Sequence, residues 1–549
     1  MCRVFGIVFL LCCLVCFAFG DVEMQDNLII QLPYGKLKGK DNGFYYSYES
    51  IPYAEPPVGE LRFESPKKYE RKWTEVFDAT KAPVKCMQWD QYQNGDNKLA
   101  GEEDCLTINI YKSKLNQTET DRAERSLPVI ILIHGGAFMF GSLAANNHER
   151  FMQQSQTIVV KMTYRLGPLG FLSTEDTTLS GNYGLKDQLL ALKWIKENIV
   201  HFGGDPDRMI AVGFSAGGTS VHLHMLQKDF KDYVHAAVSF SGTALNPWVI
   251  THNPRKRAFE LGKVLNCTRL DSSDDLKQCL KTKCAEDIVT AVRHFLVFGY
   301  NPFTTFGPVI ENSNVSDNFL HETPEEIIKS GNFSQIPWLL SYTAEDGGYN
   351  AAELLQNSEN GEELITVLNE RWLELAPQIF FYKDTVHNTN EYSESLKEKY
   401  LKNENFSVNT YHKVQQMYTD ILFKNGVEQS IYLHKKYGTS AVYAYIYDNP
   451  ADAGIGQSLS KRNDIDFGTV HGDDYFLIFH NPSRPKQLRS DEEINSRKFI
   501  KMLEDFAVKS NQLSYGECAF VDNVDKSNLQ LLLIKRETCV NTEVTDFYK

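Results

Sequence analysis

One five-residue stretch constrains this chain more than any other: Gly213-Phe214-Ser215-Ala216-Gly217, entered from the apolar residues Met209-Ile210-Ala211-Val212. The residues before it suit a short buried strand, and residues 216–227 contain no proline and suit a helix. One serine therefore sits on a sharp strand-to-helix turn, with a glycine on either side to let the backbone bend without a Cβ clash. A serine hydroxyl is a weak nucleophile at neutral pH, so it works only with a base beside it and donors aimed at the oxyanion it creates. The N–H groups that open the following helix suit the second task. The bland reading of the same residues is a glycine-rich turn that merely packs, so the rest of the chain has to supply the partners.

Residues 127–133, Leu-Pro-Val-Ile-Ile-Leu-Ile, are a continuous apolar run of the kind buried on both faces of a parallel sheet. They lead directly into His134-Gly135-Gly136-Ala137-Phe138, where glycines just past a central strand let backbone N–H groups point into a cavity. A second buried strand at 158–164 precedes a turn at 167–170 and a helix at 185–199, with Leu185, Leu189, Leu192, Ile195 and Ile199 on one face. With a further strand at 236–240, these repeated βα units predict a mostly parallel sheet with right-handed crossovers. Around this core the pattern predicts an early hairpin (28–32 with 35–39), strands at 103–111, 338–342 and 441–447, and helices at 325–330 and 414–437. No repeat or linker interrupts it, and residues 21–549 read as one domain with long insertions between strands.

The formal net charge of −14 argues against nucleic-acid or polybasic membrane partners. Residues 1–20 carry Arg3, an apolar run and Ala18-Phe19-Gly20, the pattern of a cleaved secretory leader. A retained membrane anchor is the alternative, disfavoured because the run is shorter than the ~20 residues of a span. The C-terminal Thr545-Asp546-Phe547-Tyr548-Lys549 resembles neither a GPI signal nor a retention signal. The expectation is a secreted, extracellular protein without a membrane anchor; its oligomeric state is not legible.

Of eleven cysteines, Cys2, Cys12, Cys13 and Cys16 lie in the leader. The sequence clustering of the others suggests disulfides Cys86–Cys105, Cys267–Cys279 and Cys518–Cys539, leaving Cys284 over, with Cys267–Cys284 as an open alternative. No clustered ligand spacing points to a metal, and no cofactor is expected. Sequons at Asn116, Asn266, Asn314, Asn332 and Asn405 are expected on surface loops as glycan acceptors.

Several motifs together resemble the type-B carboxylesterase/cholinesterase family over essentially the whole mature length. They are the block 202–217, Glu103-Asp104-Cys105-Leu106-Thr107-Ile108-Asn109-Ile110, the 134–138 loop, Asn182-Tyr183-Gly184-Leu185-Lys186-Asp187-Gln188, and Phe306-Gly307-Pro308-Val309-Ile310. Through Tyr45-Tyr46-Ser47-Tyr48-Glu49-Ser50-Ile51-Pro52-Tyr53-Ala54-Glu55-Pro56-Pro57 the chain is similar to the secreted β-esterases of flies. The resemblance implies an α/β-hydrolase fold, a mostly parallel sheet flanked by helices, and a nucleophile, acid and base in the chain order Ser, acid, His.

Ser215 then matches the nucleophile, and His471, in Gly468-Thr469-Val470-His471-Gly472, matches the late histidine loop as general base and later acid. The family places a glutamate before a glycine after a strand; aligning Thr343-Ala344-Glu345-Asp346-Gly347-Gly348 on the glycine selects Asp346, a shorter acid, with Glu345 the rival. The oxyanion hole maps onto the N–H groups of Gly135, Gly136 and Ala216. Trp248, Phe303 and Phe306 resemble acyl-pocket linings, although aromatic residues there serve equally as core.

Cholinesterases carry a glutamate just before the nucleophile and a tryptophan deep in the first disulfide loop. This chain has Phe214 at the first position, which becomes a substrate-binding candidate, and its loop tryptophan, Trp89, directly follows the start of that loop. A choline cation would lack its aromatic wall, so uncharged apolar small-molecule esters are the expected substrates. The rival from another class is a binding or adhesion protein that kept this fold without its chemistry.

Overall fold

The apolar run 127–133 forms the strand Leu127–Ile133, buried along its whole length. Val129, Ile131 and Ile133 face a core shared with Leu192, Trp194 and Ile195 of the helix Tyr183–Asn198. Ile130 and Leu132 face a second core with Phe499, Ile500 and Leu503 of the helix Ser490–Val508. Helices therefore cover both faces of the sheet, which is why the strand reads as unbroken hydrophobicity and not as alternation.

The structure, a computed structural model, describes residues 28–93, 98–114, 126–143, 147–356, 363–452, 454–482, 484–524 and 528–544. Residues 1–20, expected above to be a leader, the Asn116 sequon and the last five residues lie outside them. Among the described residues an eleven-stranded sheet dominates. Its parallel centre runs Ile158–Met162, Leu127–Ile133, Gly204–Phe214, Ala236–Phe240, Trp338–Thr343, Val442–Asp448 and Leu529–Lys535. Antiparallel strands flank it at both edges: Thr107–Ser113 with Tyr45–Pro52 on one side, Cys539–Val544 on the other. The fold is of the α/β-hydrolase type.

Register positions the site. Ile133 lies opposite Gly213, Phe214 opposite Phe240, and Phe240 opposite Ser341, so the carboxyl ends of four neighbouring strands fall in line. Leu127–Ile133 pairs with the strand that follows it on one side and with Gly204–Phe214 on the other, which makes its carboxyl end the switch point where open α/β sheets form ligand crevices. Ser215 and Asp346 leave strands that are second neighbours, separated by about 10 Å at the usual strand spacing. That gap suits an interposed side chain.

Two expectations are corrected. Residues 167–170 form the short helix Gly167–Phe171 and not a simple turn. The helix predicted over 414–437 is interrupted: Tyr411–Thr419 and Asn425–Tyr437 flank the wide π turn Asp420–Lys424. Tertiary partners explain the interruption. Asn246 Nδ2 donates to the carbonyls of Leu422 (2.9 Å) and Phe423 (2.8 Å), and Trp248 Nε1 donates to Leu422 O (2.8 Å), so the carbonyls released by the wider turn are satisfied from outside. No helix among the described residues is long and apolar enough to cross a membrane.

The disulfides are Cys86–Cys105, Cys267–Cys279 and Cys518–Cys539, which settles the alternative at Cys267; Cys284 is free and exposed.

Candidate active site

Ser215 stands between the strand Gly204–Phe214 and the helix Ala216–Met225, at φ 58° and ψ −125°. This conformation is costly for a residue with a Cβ and persists where the surroundings enforce it. Both flanking glycines are explained by close approach: a Cβ on Gly213 would overlap the carbonyl of Gly217, and one on Gly217 would overlap the carbonyl of Ile133. The Ser215 N–H donates to Phe240 O at 2.8 Å, tying the bend to the next strand. Ser215 thereby lines a cavity of about 640 Å³.

The loop after Leu127–Ile133 lines the same cavity. Gly135, Gly136 and Ala137 line the cavity, and Gly136 adopts φ +112°, a region that an L side chain rarely enters. Ala216 opens the helix directly behind Ser215, where backbone N–H groups have no helical partner.

His471 also lines the cavity. Its Nδ1 lies 2.5 Å from Asp346 Oδ1, and Asp346 Oδ2 accepts from Ser241 Oγ (2.6 Å) and from the Thr343 N–H (3.0 Å). Asp346 has no exposed surface, so its three donors stand in for water. With Nδ1–H donating to Asp346, the Nε2 lone pair is left available as a base. The imidazole is seated among aromatic rings: Phe214 and Phe423 at 4.6 Å and Tyr349 at 5.5 Å between centroids.

Glu345 takes a different task. Its Oε2 accepts the Thr469 N–H at 2.8 Å and its own N–H donates to Thr469 O at 3.0 Å, so it braces the loop leading to His471 without touching the ring. Burial pushes its carboxyl up from the ordinary carboxylate range. Beyond the histidine, Asp473 Oδ2 accepts the Val470 N–H at 2.8 Å and Arg484 Nη1 stands 3.5 Å from Oδ1. Arg484 reaches on to Glu492 at 3.2 Å, and burial raises the Asp473 carboxyl to about 7.

Of the aromatic candidates, Phe214, Trp248 and Phe303 line the cavity. Phe306 is not among the lining residues. It is buried, its N–H toward Met139 Sδ at 3.2 Å and its ring edge-on to Phe295 at 5.3 Å. Trp89 is likewise absent from the lining, and the Lys98 ammonium lies over its ring at 5.2 Å. Phe214 stacks on Tyr475 (4.9 Å), so the position before the serine supplies an apolar seat and no negative charge.

Sequence reasoning missed Ser241, Tyr349, Asn350 and Phe423. Ser241 and Tyr349 were discoverable as neighbours of motif residues; Phe423 depends on the wide turn and had no local signal. Among the described residues no group of His, Cys, Asp and Glu could hold a metal ion.

Residues 26–548 match the model of a family described as the carboxylesterase family. The chain is 55% identical over 530 residues to Esterase-5B of Drosophila miranda, covering 96% of each. It is 54% identical over 535 residues to Esterase-5A of Drosophila pseudoobscura pseudoobscura, again covering 96% of each. Among solved structures, juvenile hormone esterase from Manduca sexta superimposes with a TM-score of 0.79 at 24% identity, over 94% of this chain and 97% of that one.

Proposed function

The chain belongs to the carboxylesterase family of ester hydrolases, and from that premise we propose that it is a secreted serine esterase acting on uncharged carboxylic esters through an acyl-enzyme on Ser215. The observation that carries the reading is the buried 2.5 Å contact of His471 Nδ1 with Asp346, the histidine lining the same cavity as Ser215.

In this mechanism the Ser215 hydroxyl attacks the ester carbonyl carbon while His471 Nε2 takes its proton. The negative oxygen that forms accepts from the N–H groups of Gly135, Gly136 and Ala216, each such donor worth roughly 10²–10³ in rate. Collapse expels the alcohol, which leaves with the proton from His471. Water, deprotonated by the same nitrogen, then attacks the acyl carbon, and the carboxylate product departs as Ser215 regains its hydrogen. Asp346 holds the imidazole in the required tautomer and stabilises it when protonated.

Phe214 beside the imidazole, and Trp89 outside the cavity under Lys98, favour uncharged substrates over choline esters. The extracellular placement draws on the leader-like residues 1–20, on three disulfides, and on exposed Asn266, Asn314, Asn332 and Asn405, which we read as glycan acceptors. Residues 21–549 constitute the single catalytic domain of this reading. The deciding experiment is labelling with an organophosphonate followed by peptide mapping. A stoichiometric adduct on Ser215 is expected; a folded protein without one would overturn the reading in favour of a binding or adhesion role.

A further inference from the structure

The loop closed by the first disulfide, Cys86–Cys105, sends one side chain across to the loop that follows Leu127–Ile133. Within the disulfide loop Gln88 pairs with Ala100 in a short antiparallel ladder, so its backbone is fixed from both sides. Gln88 is 5% exposed and lines the active-site cavity. Its amide is fully engaged. Oε1 accepts the Gly141 N–H at 2.8 Å, while Nε2 donates to Gly141 O at 2.9 Å and to Cys86 O at 2.8 Å. One side chain thus grips both polar backbone groups of a residue 53 positions later, the way a neighbouring strand would. An amide can do this because it offers an acceptor and a donor side by side.

Gly141 matters because of what it touches. A Cβ there would lie 2.4 Å from His134 Nδ1 and 2.5 Å from Gly135 O, so its backbone is seated directly against the start of the glycine loop. That loop is folded back on itself, the N–H groups of Met139 and Phe140 both donating to Gly136 O, at 2.9 and 3.0 Å. Its other side abuts the serine: a Cβ on Gly135 would come within 3.0 Å of Ser215 Cβ. In a planar trans peptide the carbonyl of one residue and the N–H of the next point in opposite directions. Gly135 O faces Gly141 and lies 2.9 Å from His134 Nδ1, which turns the Gly136 N–H the other way. Moving Gly141 therefore moves the direction of that donor.

Resting on the esterase reading, which assigns the Gly135 and Gly136 N–H groups to the oxyanion, we propose that Gln88 is a positioning residue for the oxyanion hole. It holds Gly141, and through it the Gly135–Gly136 peptide, in the orientation that meets the tetrahedral oxygen. Such donors stabilise developing charge only when they are in place before the reaction begins. Glycines give the loop its close approach but leave its backbone free to turn, and the buried amide supplies the missing rigidity from a distant, disulfide-closed part of the chain. Asp346 and Glu345 act on His471 and its loop, whereas Gln88 acts on the oxyanion donors. Its loss should therefore weaken binding of the transition state and leave the titration of the histidine unchanged.

The experiment uses Gln88→Met, which fills nearly the same space without the amide. With a short-chain aryl ester, kcat is expected to fall about 10²-fold, the penalty of a slightly misplaced catalytic group, with KM held within about twofold. The second readout is a trifluoromethyl ketone, whose carbonyl carbon takes up the Ser215 oxygen while its own oxygen becomes the oxyanion and the hydroxyl proton passes to His471. Its affinity should fall by about the same factor as kcat, while that of the matching methyl ketone stays within about twofold. The acid limb of the pH profile of kcat/KM should not move. A folded variant with wild-type kcat overturns the proposal. So does a loss confined to KM, or a loss of kcat without the matching loss of trifluoromethyl ketone affinity. If the variant does not fold, hydrogen exchange at Gly141 in the wild type decides: a protected amide is expected, and one that exchanges like an open loop overturns the clamp. A wild type that turns over no ester and takes no adduct on Ser215 would strike the esterase reading itself, whereas an active wild type beside an unimpaired variant strikes only the role of Gln88.

Discussion

The elbow that carries Ser215 and the loop that carries His471 border one cavity, yet they are held in place by different means. Ser215 is positioned by its own stretch of chain: a buried strand, two close-packed glycines, and a helix that begins at the next residue. His471 is positioned by distant residues: Asp346, 125 residues earlier, clasps the ring, Phe423 and Phe214 flank it, and Glu345 braces its loop. The serine's geometry is thus a local property of the backbone, while the histidine's geometry is an outcome of assembly. Changes on the histidine side should therefore damage rate more than fold, and changes in the elbow should damage fold first.

The sharpest test of that contrast is at the acid. Asp346→Asn should lower kcat by about 10⁴ through the wrong imidazole tautomer, whereas Glu345→Gln, which alters only a brace, should cost about tenfold or less. Comparable losses in steady-state assays of the two would remove the distinction between orienting acid and loop brace.

Gly217→Ala comes next. Its Cβ would meet the Ile133 carbonyl, a backbone atom of the central strand that cannot swing aside. A loss of about 3 kcal/mol in stability is expected, read from the urea midpoint. An unchanged midpoint with activity alone reduced would mean that the elbow is less bound to the fold than its geometry implies.

A smaller effect is expected where the two regions meet. Asn246→Leu removes the donor that satisfies the Leu422 and Phe423 carbonyls, at a cost of about 1–3 kcal/mol. It should also reduce kcat, because Phe423 then loses its fixed place against His471. Thermal melts paired with kcat measurements would check both, and a stability loss with kcat intact would separate the wide turn from the site.

The last test concerns pH. Burial lowers His134 to about 4, and His224 and His434 to about 3, so all three are neutral in the native protein. In the unfolded chain they protonate near the ordinary value of about 6.5. Their folded values are depressed, so the stability they contribute is full above about pH 6.5 and declines as pH falls toward 4 and then 3, at most about 1.4 kcal/mol per pH unit for each proton. Two of them lie on the elbow side, His134 after the central strand and His224 in the helix Ala216–Met225. Urea midpoints measured from pH 7 to 4 should therefore fall with acid, and His224→Gln should flatten the slope. An unaltered slope in that variant would assign the acid sensitivity elsewhere.

These contrasts also explain what was readable beforehand. The parallel strands, the helix covering them, the elbow and the glycine loop were legible because each rests on spacing within some twenty residues: an apolar run, a helical stripe, a glycine at a bend. The three disulfides were legible because their partners are close in sequence. The continuous helix over 414–437 was misread because its break depends on Asn246 and Trp248, which lie far away in the chain. Phe306 was placed in the pocket by the family resemblance, while the fold buries its ring against Phe295, outside the cavity lining.

By itself the sequence determined the central sheet and the sharp bend at Ser215, which follow from local periodicity and from a motif a few residues long, while the order of serine, acid and histidine was an expectation carried by the family resemblance. Only the tertiary structure decided that Asp346 and not Glu345 meets the imidazole and that Phe423 joins its seat. The physical reason is that these depend on which distant side chains fill the space beyond the strand ends. Two adjacent carboxylates share one stretch of sequence, but their side chains point in different directions, and only one of those directions ends at the histidine.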